Sequence, residues 1–258
     1  MFLELAQHPD RTLGLIPSSR VRMTPNPTGP SASGVGFAVA EAAADENASV
    51  VVASRRRDGV GRAVAALPAG AEGRTVDVTD ENGVRALFDE LGAFDHLVYT
   101  AAEPLLSSAL ADTEIDVVRR FFELRHFGAL TAVKYGAPHI RPGGSVGLVG
   151  GTAAGRPEPG TTAVSSVLAA MEGPARALAV ELSPLRVNVV VPGILRSQMW
   201  SGLPQAAREA MYQALEDTLL VGPRVGEPTD VADAFVFLMR NRHMTGSTLT
   251  IDGGQTLT

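Results

Sequence analysis

A loop rich in glycine and small hydroxyl residues, TGPSASGVG at residues 28–36, is the first stretch of this chain that could bind a ligand. It runs directly into an alanine-rich helical pattern. Backbone N–H groups of such a loop can approach a pyrophosphate at a helix N-terminus, where the helix dipole favours negative charge. An ordinary flexible turn has the same composition, so the loop alone leaves both interpretations open.

Three consecutive arginines, Arg55, Arg56 and Arg57, follow an apolar run that ends at Ser54. In a dinucleotide site the end of this strand faces the adenosine ribose, where a carboxylate binds the 2′-hydroxyl and an arginine accommodates a 2′-phosphate. If a dinucleotide binds, these residues therefore favour NADP(H) over NAD(H). The alternative is a solvated basic helix start, because arginine is common at protein surfaces.

Composition argues against several other chemistries. The chain has no cysteine, which removes disulfides and thiolate chemistry and fits a reducing compartment. Its five histidines lack ligand spacing, so we expect no metal site. The net charge is −6 and no basic stripe is present, so we expect no nucleic-acid partner. The start MFLELAQHPD does not resemble a signal peptide and no apolar run approaches about 18 residues, which predicts a cytoplasmic protein without a membrane partner.

Short β-branched runs alternate with longer helical patterns from about residue 34 onward. This alternation predicts repeated βαβ units, and with 45% hydrophobic residues the 258-residue chain can bury one large core. We therefore predict a single doubly wound α/β domain. The predicted strands are 49–54, 74–78, 96–101, 145–149, 186–191 and 248–252. The predicted helices are 34–46, 58–67, 81–91, 114–140, 161–182 and 229–240.

The first thirty residues fit this scheme poorly. A doubly wound sheet needs an apolar first strand, but VRMTPNP at 21–27 contains an arginine and two prolines. The other candidate, 13–16, would leave a long loop before the first helix. We therefore expect a displaced or irregular first strand in an N-terminal extension, residues 1–27, followed by the main domain, residues 28–258.

The order of these segments resembles the short-chain dehydrogenase/reductase family from about residue 28 to the C-terminus. The similar blocks are VVVASRR, DVTD at 77–80, FDHLVYTAA at 94–102, RALAVELSPLRVNVVVPG at 176–193, GEPTDVADAFVFL at 226–238 and TGSTLTIDGG at 245–254. The resemblance implies a Rossmann-type fold with a mostly parallel seven-stranded sheet. It also implies NADP(H)-dependent oxidoreductase chemistry on a small carbonyl substrate.

The resemblance also implies a set of cofactor-binding residues. Asp77 and Val78 would flank the adenine, Thr100 to Ala102 would lie under the adenosine-side ribose, and residues 192–197 would border the nicotinamide amide and phosphates. The full set is Gly29, Ser31, Ser33, Gly34, Val35, Gly36, Ser54, Arg55, Arg56, Asp77, Val78, Thr100, Ala101, Ala102, Pro192, Gly193, Ile194 and Ser197. The glycine loop has one residue too many for the usual spacing. Pro30, which has no N–H for a phosphate, stands where the first glycine belongs, which puts cofactor binding in doubt.

Hydride transfer in the resembled family depends on an Asn–Ser–Tyr–Lys tetrad in which the tyrosine exchanges the proton. The flanking blocks place the tyrosine at Val164, the lysine at Leu168, the serine at Gly151 or Gly150, and the asparagine at Arg125. All four positions are therefore non-standard. Neither Val164 nor Leu168 can exchange a proton, so the usual machinery is missing.

Other polar residues near that pocket could still act. The register places Arg125, Thr152, Tyr99, His126, Ser165 and Ser166 there. Arg125 could hold an anionic or carbonyl substrate, and Thr152 could replace the oxygen-binding hydroxyl. Alternatively, Arg125 pairs with an acid and the serines merely pack against a neighbour.

Three functions therefore remain open. The first is an NADP(H)-dependent oxidoreductase that is atypical or weakly active. The second is a catalytically silent partner, sensor or scaffold. The third is a non-redox enzyme, such as a lyase or cyclase, that reuses the pocket with Arg125 as an electrostatic clamp. Fold alone cannot decide between them.

A dimer or tetramer is also expected. The helical stretches 114–140 and 161–182 are apolar on more than one face, which predicts pairing across a two-fold axis. The apolar residues that suggest this are Phe121, Phe122, Phe127, Leu130, Val133, Val167, Leu168, Met171 and Leu178.

Overall fold

Seven strands form one sheet in the computed structural model, which describes residues 3–7, 34–104 and 107–258. The spatial order is β3-β2-β1-β4-β5-β6-β7. Every pair is parallel except the two that β1 makes with its neighbours. The strands are β1 Leu3–Gln7, β2 Ser49–Ser54, β3 Glu72–Thr75, β4 Phe94–Tyr99, β5 Ile140–Val149, β6 Arg186–Pro192 and β7 Thr248–Ile251.

Eight α-helices connect and cover these strands within the described residues. They are α1 Val35–Asp45, α2 Arg57–Ala66, α3 Glu81–Leu91, α4 Ile115–Phe122, α5 Gly128–Gly136, α6 Thr162–Glu181, α7 Gln205–Glu216 and α8 Pro228–Arg240. A π-helical turn, Glu123–Phe127, joins α4 to α5. No helix in these ranges is long and apolar enough to cross a membrane.

Helices cover both faces of the sheet, as the continuous apolar strands predict. Alternate residues of β6 show this: Val189 packs in a core cluster with residues of α3, α5 and α6, whereas Val190 packs with residues of α1 and α8. Phe235 of α8 is 1% exposed and Phe88 of α3 is fully buried. The predicted doubly wound α/β fold is therefore confirmed.

The first strand differs from both sequence candidates. It lies at Leu3–Gln7 and runs antiparallel between β2 and β4, with Leu3 opposite Tyr99 and Ala6 opposite His96. The segments 13–16 and 21–27 lie outside the described residues. The sequence feature that could have predicted this strand is the alternation of Leu3 and Leu5 with Glu4, a period-two pattern typical of strands.

Strand β5 begins five residues earlier than predicted, at Ile140, and four further elements also differ from the sequence predictions. Strands β3 and β4 begin and end two or three residues earlier than predicted, at Glu72–Thr75 and Phe94–Tyr99. The predicted helix 114–140 is divided by the π-helical turn. Helix α7, Gln205–Glu216, was not predicted.

Most of the apolar residues that suggested an oligomer are buried within the chain itself. Phe121, Val133, Val167, Leu168 and Met171 are each at most 4% exposed, because α4, α5 and α6 pack against one another and against the sheet. Phe127 is the exception, with 51% of its surface exposed. The expectation that these residues face a partner is therefore wrong for all but Phe127 and the half-buried Phe122, Leu130 and Leu178.

Candidate functional site

The carboxyl ends of β4, β5 and β6 lie side by side and bring most of the predicted site residues to one edge of the sheet. Tyr99 pairs with Leu148, and Val149 pairs with Val190. In open α/β sheets ligands bind outside these strand ends, which makes this edge the expected site.

The positions that the resemblance assigns to the serine and the lysine of the tetrad, Gly151 and Leu168, lie next to each other. Gly151 follows β5, and a Cβ atom built on it would lie 2.8 Å from Leu168 Cδ1 and 3.3 Å from Leu168 Cδ2. Leu168 lies on α6 and is 4% exposed. A leucine side chain therefore fills the space that a serine side chain at position 151 would need.

Val164 belongs to the same apolar cluster. It is 4% exposed, one helical turn before Leu168, and packs with Phe121 of α4 and Val167. The alternative serine position, Gly150, donates its N–H to the Val190 carbonyl at 2.8 Å. At positions 150, 151, 164 and 168 the site therefore holds no side chain that can donate or accept a proton.

The π-helical turn that carries Arg125 has an identifiable cause. The Tyr99 hydroxyl donates a hydrogen bond to the Leu124 carbonyl at 2.5 Å, and a Cβ atom on Gly128 would lie 2.3 Å from that hydroxyl oxygen. Tyr99 is 1% exposed and cannot withdraw. In a regular α-helix the Leu124 carbonyl would accept the N–H of residue 128. The Tyr99 hydroxyl takes that place, so the helix widens into a π-turn.

Arg125 is buried, with 7% of its surface exposed. Its Nη2 donates to the Glu103 backbone carbonyl at 2.6 Å, with Met199 Sδ 3.9 Å away. Its Nε lies 3.7 Å from Glu103 Oε2, too far for a hydrogen bond. Arg125 therefore ties the loop after β4 to the helical layer, and its Nε has no hydrogen-bond partner.

Glu103 is the functional candidate that the sequence analysis missed. Both of its carboxylate oxygens are buried and make no hydrogen bond. Burial raises the pKa of the Glu103 carboxyl, and the charges of Arg125 and Arg120 act against that rise. The available signal was an acidic residue four positions after a buried strand, at the edge of the sheet where ligands bind.

The remaining polar candidates are mostly occupied locally. Ser165 Oγ donates to Thr161 Oγ1 at 3.1 Å, and Ser166 Oγ donates to the Thr162 carbonyl at 2.8 Å. The His126 ring lies between Phe122 and Phe127, and its Nδ1 is buried without a partner. The hydroxyl groups of Ser165 and Ser166 are thus both used in hydrogen bonds at the start of α6.

Thr152 lies beside an open cavity. The cavity is about 510 Å³, which is within the size range of small-molecule sites. Its lining includes Gly151, Thr152, Arg156 and Glu172 together with threonines of β7 and the C-terminal residues. The position proposed for a substitute hydroxyl is therefore next to space that a ligand can enter.

The adenosine end of the predicted cofactor site fits NADP(H). Arg55 and Arg56 are exposed and directly follow the carboxyl end of β2, and Ser54 and Val78 are buried. Burial raises the pKa of Asp77, but hydrogen bonds from Thr79 and the charge of Arg55 outweigh it, so the pKa lies below its usual value. The Asp77 carboxylate is thus charged and near Arg55.

The glycine loop is placed only in part. Gly29, Ser31 and Ser33 lie outside the described residues. Gly34, with φ 109°, precedes the first residue of α1, Val35, and Gly36 is buried. A phosphate-binding loop normally follows a strand directly, but β1 ends at Gln7 beside Ser49, the amino end of β2. This departure concerns the pyrophosphate end and leaves the adenosine end unaffected.

The residues expected at the nicotinamide end are held by the C-terminal segment. Gln255 Oε1 accepts the Ile194 N–H at 3.0 Å, and a Cβ atom on Gly193 would lie 2.7 Å from the same oxygen. Gly193 N–H also donates to the Ile251 carbonyl. Ser197 caps the short helix Gln198–Trp200 by accepting the Met199 N–H. Pro192 ends β6, and Thr100, Ala101 and Ala102 directly follow β4.

Comparison with known proteins shows extensive similarity. A family model described as enoyl-(acyl carrier protein) reductase matches residues 30–256. The short-chain dehydrogenase/reductase ucsE of Acremonium sp is 32% identical over 242 residues, covering 86% of this chain and 91% of that protein.

Two solved structures have the same fold. The MalC reductase/Diels-Alderase from Malbranchea aurantiaca is 28% identical, with a TM-score of 0.81, and the match covers 88% of this chain and 94% of that one. A small-chain dehydrogenase in complex with NADPH is 29% identical, with a TM-score of 0.73, over 88% of this chain and 95% of that one. The chain belongs to the short-chain dehydrogenase/reductase family of oxidoreductases.

Proposed function

We propose that this protein is an atypical family member that binds NADP(H) but does not reduce carbonyl groups by the family's tetrad chemistry. One observation carries the proposal: Leu168 occupies the space beside Gly151 where the resembled site has an oxygen-binding hydroxyl and an ammonium group. Packing of this kind leaves no room for those groups. A catalytically silent role and very slow reduction are both consistent with it.

NADP(H), when bound, would supply the hydride. Arg55 and Arg56 would hold its 2′-phosphate, with Asp77 and Val78 beside the adenine. The chain itself must then donate a proton to the carbonyl oxygen, within about 3 Å. Neither Val164 nor Leu168 can do so, and burial raises the pKa of Tyr99, whose hydroxyl is already bonded to the Leu124 carbonyl.

Titration with NADPH, followed by nicotinamide fluorescence, tests the binding half of this proposal. Saturable micromolar binding without carbonyl-dependent oxidation of NADPH supports it. Failure to bind NADPH would contradict it, since the adenosine-end residues would then have no cofactor to hold.

The double variant Arg55→Ala/Arg56→Ala is expected to remove the preference for NADP(H). Hydrogen bonds to charged groups contribute roughly 1.5–3 kcal/mol each, so we expect the Kd for NADPH to rise about 10-fold or more per arginine. The Kd for NADH should change little. Isothermal titration with both nucleotides measures this.

Arg62→Ala is the matched control, because Arg62 is an exposed arginine on α2, the helix that follows Arg55 and Arg56, and lies away from the strand end. It should leave both affinities unchanged. Equal affinity of the unmodified protein for NADPH and NADH would contradict the assignment of Arg55 and Arg56.

We also propose that the protein is a homodimer or homotetramer. Phe127 and Ile115, which lie in the helical segment 115–127, are 51% and 55% exposed and offer apolar surface to a second copy. Phe127→Glu is expected to shift the light-scattering mass toward the monomer. Val221→Glu is the control, because Val221 is 66% exposed and lies outside both helical stretches expected to pair. A monomeric unmodified protein at micromolar concentration would contradict the proposal.

A second candidate function, a non-redox enzyme, is favoured by the buried Glu103 and Arg125 groups. These are ionisable side chains without full hydrogen bonding, next to the site, and such groups are enriched at catalytic centres. The MalC reductase/Diels-Alderase, which has the same fold, combines a reductase with a non-redox activity.

A further inference from the structure

Three polar atoms without hydrogen-bond partners meet in one place beside the site. They are Oε1 and Oε2 of Glu103 and Nε of Arg125. Buried polar groups are almost always satisfied, and those that are not call for a specific explanation, such as a catalytic role or an absent ligand. Glu103 Oε2 and Arg125 Nε form an ion pair at 3.7 Å but no hydrogen bond, so two acceptors and one donor keep hydrogen-bonding capacity for a group that enters between the two side chains.

The two side chains lie in a favourable place for such a ligand. Glu103 follows the end of β4, and Arg125 is held on the facing π-turn by the Tyr99 contact. Met199, which follows the β6 end, lies against Arg125, and the apolar cluster of Phe121, Val164 and Leu168 packs in the same layer of helices. The pair is thus the charged part of a largely apolar region.

The carboxyl of Glu103 is covered but not locked in place. A quarter of the side-chain surface of Glu103 is exposed, although its two oxygens are buried, so the methylene groups face outward and the carboxyl turns inward toward Arg125. Apart from the 3.7 Å ion pair with Arg125 Nε, no hydrogen bond to another described residue fixes that orientation. Rotation of the side chain to another staggered conformation can therefore admit a ligand.

From these features we infer that Glu103 is the acid–base residue, and Arg125 the oxyanion-binding residue, of a proton-transfer reaction on an enolisable carbonyl compound. This inference rests on the second candidate function, a non-redox enzyme. A positioned carboxylate and a cation aimed at the developing enolate oxygen are the two groups that such a reaction needs.

The reaction balances without a co-reactant. The Glu103 carboxylate removes a proton from the carbon next to the carbonyl, the C–H electron pair forms a C=C bond, and the carbonyl π pair moves to the oxygen near Arg125 Nε–H. In a β,γ-unsaturated ketone, protonated Glu103 then returns the proton to the γ carbon. The carbonyl re-forms, and the product is the conjugated α,β-unsaturated isomer.

The pH dependence follows from the groups that face Glu103. These are Arg125 on the π-turn, Arg120 on α4 and Tyr99 on β4. The base must be ionised, and burial raises its pKa. The rate is therefore expected to increase with pH through a pKa above the usual value for a glutamate.

The test uses cyclohex-3-en-1-one with the full protein and no nicotinamide. We expect isomerisation to the conjugated ketone, followed by ultraviolet absorbance, to exceed the rate in buffer. Glu103→Gln should lower the protein-catalysed rate by about 100-fold or more, since acid–base groups contribute 10²–10⁴-fold. Glu103→Asp should recover part of that loss.

Glu123→Gln is the matched control, because Glu123 is an exposed glutamate on the π-turn that carries Arg125. It should leave the rate unchanged. No acceleration by the unmodified protein, or equal rates with Glu103→Gln, would overturn the inference. Because the assay contains no NADPH, its failure is distinguishable from failure of the NADPH-binding proposal.

Discussion

The triple variant Gly151→Ser/Val164→Tyr/Leu168→Lys is expected to reduce simple ketones with NADPH at least about 100-fold faster than the unmodified protein. General acid catalysis alone contributes 10²–10⁴-fold, and an oxygen-binding hydroxyl contributes a similar factor. The three substitutions restore the proton donor, the cation that lowers its pKa, and the hydroxyl. Steady-state NADPH oxidation with a panel of carbonyl compounds measures the gain.

The substitutions must be combined because of the contact between positions 151 and 168. Gly151→Ser alone would place a Cβ atom 2.8 Å from Leu168 Cδ1 and crowd a buried side chain. We expect that single variant to be less stable and no more active. Lysine at position 168 has an unbranched chain, which removes one of the two δ-carbons that cause the contact.

Thr162→Tyr/Ser166→Lys is the control for the triple variant. It places the same residue types one helical turn apart on the exposed side of α6. It should produce no activity. If the triple variant folds, binds NADPH and still fails to reduce any carbonyl compound, the missing tetrad is not what limits this protein.

Gly128→Ala is expected to lower the free energy of unfolding by about 1–3 kcal/mol, the usual cost of forcing an extra methyl group into a packed interior. The new Cβ would lie 2.3 Å from the Tyr99 hydroxyl oxygen and 3.3 Å from its Cζ. Tyr99 is 1% exposed, so it cannot move aside. Urea unfolding of the variant and of the unmodified protein measures the effect.

Tyr99→Phe separates the two contributions to this contact. Tyr99→Phe alone should lower the free energy of unfolding by about 1 kcal/mol, because the Leu124 carbonyl loses its hydrogen bond. Combined with Gly128→Ala it should cost less than the sum, because the atom that clashes is absent. Gly61→Ala, in open space on the exposed side of α2, should instead stabilise the protein by about 0.5–1 kcal/mol. Strict additivity of the effects at positions 99 and 128 would contradict the steric contact that we assign to the Tyr99 hydroxyl.

Local patterns predicted the regular elements well. Strand β2, Ser49–Ser54, and helix α3, Glu81–Leu91, have the predicted bounds, because uninterrupted β-branched residues and a clear apolar periodicity specify them. The first strand was not predicted, because five residues with a weak alternation at a chain terminus carry little local information. Its antiparallel direction depends on pairing with β2 and β4, which is non-local.

The sequence predicted which residues belong to the candidate site but not which of their side chains are in contact. The sequence register assigned Gly151, Val164, Leu168 and Arg125 to one site. It could not show that Leu168 fills the space beside Gly151, since this depends on how α6 packs on β5. The π-turn was also hidden, because its cause is a tyrosine hydroxyl from a strand 25 residues away.

Glu103 shows a different limit of sequence reasoning. Its type and its place after β4 were visible, but a solvated acid is the ordinary interpretation of a glutamate in a loop. Only the burial of both oxygens, and the 3.7 Å separation from Arg125 Nε, distinguish it from such a residue.

Transfer of deuterium from 4-deuterated NADPH is the most direct test of the claim that this site lacks reductase chemistry. The unmodified protein is incubated with the labelled cofactor and a panel of ketones and aldehydes, and the alcohols are analysed by mass spectrometry. We expect labelled alcohol to be absent or to form only very slowly, although NADPH binds. Labelled alcohol that accumulates as fast as with an active reductase of the family, with one hydride transferred per product, would contradict the account.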